Sequence, residues 1–89
     1  METYNRIEVL SNALISIKTG YHIYMCNAIE HYLMPKDKVF KVFPEILKYK
    51  PAGKSKDSAW WYDDEAGKQQ RIKVLTELIQ ELNENFIKS

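Results

Sequence analysis

A single cysteine, Cys26, stands in a chain of 89 residues, so no intrachain disulfide can form. Small domains that work outside the cell are commonly stapled by disulfides, and a lone thiol points to a reducing compartment. The chain opens Met1-Glu2-Thr3-Tyr4-Asn5-Arg6, without the basic start and apolar run of a secretory leader. No apolar run approaches the roughly 20 residues that a membrane-spanning helix needs. These absences predict a soluble cytoplasmic protein that does not enter a membrane. Internal repeats and low-complexity runs are missing as well. The formal net charge is only +1, whereas a general duplex-DNA binder is strongly basic, so duplex DNA is not an expected partner.

What is present describes a small globular chain. Hydrophobic residues make up 45% and charged residues 28%, a balance that argues against disorder over most of the length. A chain this short buries only about 60% of its unfolded surface, and self-association is one way to cover the rest. Six tyrosines outnumber three phenylalanines and two tryptophans. That surplus of flat rings with polar tips suits interfaces as well as cores. Charge is unevenly spread: Lys36, Lys38, Lys41, Lys48, Lys50, Lys54 and Lys56 face only Asp37 and Glu45 in the middle of the chain. The flanking segments are net acidic. A local basic zone of this kind can hold a small anion.

Hydrophobic periodicity predicts a helix over Thr3–Lys18, with Ile7, Leu10, Leu14 and Ile17 on one face and Thr19-Gly20 as its stop. A second helix is predicted over Tyr21–Leu33, with small Ala28 and slim Cys26 permitting close approach of a neighbour and Pro35 ending it. Lys36–Lys50 reads as a short helix interrupted at Pro44, either kinked or split in two. Residues 51–58 form a loop, and the segment without predicted helix extends to about residue 62. The last helix, from about Asp64 to Ile87, carries Ile72, Leu75, Ile79, Leu82 and Phe86 at alternating spacings of three and four, widened by Leu78. That stripe serves either packing within the chain or a helix pair between subunits. The expected fold is all-α, one domain of three to five helices, with a long C-terminal helix as its spine.

Catalytic motifs fail on inspection. Gly53-Lys54-Ser55 looks like the end of a phosphate-binding loop, but that loop needs a further glycine where this chain has Lys48, as well as a preceding strand and a following helix. His22 and Cys26, four apart, suggest a dyad or half a metal site. Only His31 remains as a third ligand, and Cys26 reads more simply as a packing residue. Asp63, Asp64 and Glu65 suit the first turn of a helix, where carboxylates cap free N–H groups. Glu77, Glu81 and Glu84 read as a solvated helix face. No enzyme, no metal and no cofactor is expected.

The Trp60-Trp61-Tyr62 run is harder to absorb into a core, because adjacent tryptophans point in different directions. One can enter the core while the other stacks on a ligand or partner. The densest lysines lie nearby, and Arg71 follows on the last helix, placed to grip a phosphate or to pair with a carboxylate. Lys54, Lys56, Trp60, Trp61, Tyr62 and Arg71 are therefore the candidate ligand-binding residues.

Several short elements carry a resemblance. Cys26-Asn27-Ala28-Ile29 is followed by Phe43-Pro44-Glu45-Ile46-Leu47, then Lys50-Pro51, Trp60-Trp61 and Arg71-Ile72-Lys73-Val74-Leu75. This layout, over roughly residues 21–80, resembles that of small helical proteins encoded by bacteriophages and prophages. The resemblance implies a non-enzymatic accessory protein acting in the cytoplasm of a host cell. Such proteins often block a defence protein, or sequester the cyclic or ADP-ribose-type nucleotides that signal infection. Nucleotide sequestration implies a homo-oligomer, here through the C-terminal helix. A protein-binding inhibitor of a host protein, or a small interaction module, is the alternative.

Overall fold

The first helix, α1 (Thr3–Thr19), ends where the sequence predicts. The Thr19 hydroxyl donates to the Ile15 carbonyl at 2.9 Å, and the Gly20 N–H reaches the Ile17 carbonyl at 3.2 Å. Gly20 takes φ = +81°, the left-handed conformation that closes helix ends and that side chains disfavour. The computed structural model describes residues 3–33, 39–50 and 67–88, with side chains from 6 to 33, 39 to 50 and 67 to 85. After α1 come α2 (Met25–Glu30), a single-turn α3 (Val39–Val42), a 3-10 helix η1 (Pro44–Tyr49) and α4 (Lys68–Lys88). No strand occurs among the described residues, and the all-α fold with a long C-terminal helix is as expected.

Helix α2 is shorter than the predicted Tyr21–Leu33. The backbone N–H of His22 donates to the Ser16 carbonyl at 3.2 Å, and the Ser16 hydroxyl shares a hydrogen bond with His22 Nδ1. These bonds tie the chain back onto α1 and hold Tyr21–Tyr24 out of the helix. Tyr24, at φ −95° and ψ 136°, is still extended when α2 begins. At the far end, Tyr32 and Leu33 donate to the carbonyls three residues earlier, which tightens the chain into turns. The predicted break at Pro44 is present. Phe43 leaves the helical region at φ −124° and ψ 65°, and Pro44 opens η1, where its missing N–H costs nothing.

Helices α1 and α4 pack along their length. Leu10, Ala13 and Ile17 from α1 meet Val74, Leu75, Leu78 and Leu82 from α4, all buried. Ala13 and Ala28 are both fully buried, and their small side chains let backbones approach. α2 rests on α1 through Met25, Ala28 and Ile29, while Val39, Phe43 and Ile46 from α3 and η1 complete the same core. Leu75, Leu78 and Leu82 of the predicted α4 stripe are thus turned toward their own chain, with Ile72 and Ile79 partly buried against the same core, and the Phe86 side chain lies outside the described residues.

Two ion pairs fasten η1. Arg6 on α1 grips both carboxylate oxygens of Glu45, and its guanidinium lies 5.3 Å from the centre of the Phe43 ring. Lys48 pairs with Glu81 on α4. Glu81 is therefore engaged by a partner, unlike the wholly solvated face predicted for the glutamates of α4. Among the described residues no helix is long and apolar enough to cross a membrane. The segment 51–62, the carboxylates Asp63, Asp64 and Glu65, and Pro35 lie outside the described residues.

Leu75→Ala, at a site with no solvent exposure, is expected to cost roughly 2–5 kcal/mol. In a domain whose total stability is on the order of 5–15 kcal/mol, urea titration should show a large drop in midpoint, while exposed Gln80→Ala should leave it nearly unchanged. Alkaline pH offers a second check. Burial raises the Tyr49 phenol above its ordinary value, partly opposed by the Lys48 charge. The hydrogen bond to Glu81 raises Lys48 against the cost of desolvation. The folded chain holds both protons more tightly than the unfolded chain does. The stabilisation is therefore complete below about pH 10 and fades as pH rises through the folded values. Tyr49→Phe should flatten the fall in thermal midpoint above about pH 10; an unchanged slope would exclude a part for Tyr49.

Candidate functional site

The turn after α1 and the first turns of α4 enclose a cleft of about 250 Å³, lined by Ile17, Gly20, His22, Ile23, Lys68 and Arg71. Each wall has a local cause. Gly20 turns the chain sharply, and the bonds from Ser16 place the His22 ring beside α1. Lys68 and Arg71 stand three apart on α4, a spacing that puts both on one helix face. The seam between α1 and α4 then sets that face against Ile17. Arg71 is only 2% exposed, whereas Lys68 is exposed. Arg71 is therefore a buried wall of the cleft and Lys68 an exposed one.

A ring cluster borders His22. The Tyr21 and His22 rings meet edge-on with centres 4.7 Å apart, and the His22 and His31 rings lie 5.0 Å apart. His31 also meets Tyr32 edge-on at 4.8 Å. Tyr21 is 70% exposed and presents most of its ring to solvent. Two cationic side chains, an imidazole, apolar walls and a flat ring at the edge are chemically suited to a small anion attached to a planar group.

Of the residues singled out from sequence, Arg71 lies in the cleft. Lys54, Lys56, Trp60, Trp61 and Tyr62 lie outside the described residues. His22 engages Ser16 and the neighbouring rings. Cys26 is half-buried, with Sγ 3.6 Å from Asn27 Oδ1. Among the described residues no group of three or more histidine, cysteine or carboxylate side chains gathers as a metal site. Lys68 is one of the cations near the tryptophan pair in sequence but stands outside the six candidates; sequence reading missed His22 as a wall of a cleft and the Tyr21–His31 rim. The available signals were the Lys68–Arg71 spacing and a serine and a histidine flanking the helix-ending Gly20.

No protein-family model, curated protein or solved structure matches the chain.

The Ser16 side chain is 3% exposed and anchors His22. Ser16→Ala should cost about 1 kcal/mol through the lost hydrogen bond. It should also release the His22 ring, visible as averaging of its NMR signals toward those of a solvated imidazole. Unchanged His22 signals would show that the ring is held by its aromatic neighbours alone.

Proposed function

We propose that this chain is a non-enzymatic accessory protein of the phage-encoded kind, which sequesters a nucleotide signal in the cleft between the α1–α2 turn and α4. The observation that carries this is the joint placement of buried Arg71 and exposed Lys68 with His22, beside the open ring of Tyr21. Phosphate would sit between the cations, and the base would lie against Tyr21. Capture needs no bond-making group, and tight binding alone lowers the free concentration of a signal. Trp60, Trp61, Tyr62, Lys54 and Lys56 precede Lys68 closely in sequence. They remain proposed as additional stacking and charge for the same ligand.

A protein-binding role in a host cell is the second possibility, favoured by one observation. Ile15, Ile23 and Tyr24 join Tyr21 as large side chains substantially exposed around the end of α1. Apolar and tyrosine side chains of this kind anchor interfaces. Self-association through the C-terminal helix remains part of the proposal, and this exposed patch is a second surface that it could use.

Thermal melts with AMP, cyclic AMP, a cyclic dinucleotide and ADP-ribose separate the two roles. At about 100-fold excess over the dissociation constant, a captured nucleotide stabilises by roughly 2.7 kcal/mol. Lys68→Glu should abolish that shift, and Ile15→Asp, at an exposed position outside the cleft, should weaken a protein complex more than it weakens a nucleotide complex. No shift with any nucleotide at millimolar concentration would sink the capture role.

A further inference from the structure

Resting on the nucleotide reading above, we infer that the cleft selects nucleotides ending in a phosphomonoester over those closed into cyclic phosphodiesters. Three observations converge on this. The first is space. A volume of about 250 Å³ falls just below the roughly 300–1,000 Å³ typical of sites that enclose a drug-sized ligand. It accepts a phosphoryl group and part of a sugar. A cyclic dinucleotide, with two bases and two sugars in one ring, would have to stand largely outside it.

The second is charge. Near pH 7 a terminal phosphate carries about −1.5 to −2 charges and three acceptor oxygens. Lys68 and Arg71, one helical turn apart, line the same cleft, and exposed Lys68 brings it an ammonium charge. Arg71 has five N–H donors in a fixed fork, so it can serve another group of the protein and still present donors to a ligand. A cyclic phosphodiester brings a single negative charge and two free oxygens.

The third is shape. Arg71 is buried while Lys68 is exposed, and Ile17 and Ile23 line the cleft with them. A terminal phosphoryl group enters such a recess end-on, with its sugar and base trailing outward. The exposed Tyr21 ring, 4.7 Å from His22, is placed to receive that base. A cyclic phosphate is tethered on two sides and must bring its sugar in with it, against apolar side chains.

Calorimetric titration of the full chain with AMP, 3′,5′-cyclic AMP, a cyclic dinucleotide and adenosine tests the preference. At about pH 7 and low salt, AMP should bind at least about tenfold more tightly than cyclic AMP, a gap of about 1.4 kcal/mol. Adenosine should bind weakest. Lys68→Gln, at an exposed position that leaves the fold intact, should reduce AMP affinity more than cyclic AMP affinity. Cyclic AMP or the cyclic dinucleotide binding as tightly as AMP would overturn the monoester preference while leaving nucleotide capture standing. An unchanged AMP-to-cyclic AMP ratio in Lys68→Gln would overturn the charge match on which the preference rests. Absence of binding by every nucleotide would overturn nucleotide capture itself, and the preference with it.

Discussion

The seam between α1 and α4 is the contact on which the rest depends. Leu75, Leu78 and Leu82 recur at spacings of three and four, so α4 presents one continuous apolar edge. α1 answers with Leu10, Ala13 and Ile17, and the alanine lets the two backbones draw close. The shorter elements have little stability of their own, because helices below about 12 residues are marginal in water. α2, α3 and η1 are ordered by what they bury on that seam. Arg71 continues the same edge by one turn. The cleft is thus the place where the apolar edge of α4 gives way to charge.

The ion pairs stand at the margins of this core rather than inside it. Arg6 and Glu45 retain partial contact with water, as do Lys48 and Glu81, so each contributes little through charge alone. Their effect is geometric. One ties η1 to α1 and the other ties it to α4, so the 3-10 helix is held from both sides. The bond between Ser16 and His22 does similar work at the opposite end of α1. It satisfies a hydroxyl buried in a helix and fixes the turn that forms one wall of the cleft.

Much of the fold was legible in the residues, and the reason is periodicity. The stripes of α1 and α4, the stop at Thr19-Gly20 and the break at Pro44 are local signals. The contraction of α2 was not legible, because it follows from two bonds between Ser16 and His22 across a glycine turn. Neither residue type signals that partnership on its own. Arg71 was legible as a candidate because it is a guanidinium beside the apolar stripe of the last helix. Lys68, one turn away on the same helix, was within reach of the same spacing argument; His22, Ile17 and Ile23 were not, since they come from a distant part of the chain and meet Arg71 only through the α1–α4 seam. The tryptophan pair and the lysine-rich loop drew attention by composition alone, and composition does not place a side chain.

The ends of this chain are also its principal partners. Arg6 and Glu45 are 39 residues apart and Lys48 and Glu81 are 33 apart, and the α1–α4 seam spans still more of the sequence. Small helical domains usually fold fast because their contacts are local. Here the main apolar surface is buried only after a long loop has closed, and the entropy of that closure comes before the gain. During synthesis α1 therefore leaves the ribosome long before its partner exists. Until α4 follows, Leu10 and Ile17 lack the partner that buries them, and apolar surface of that kind is open to aggregation.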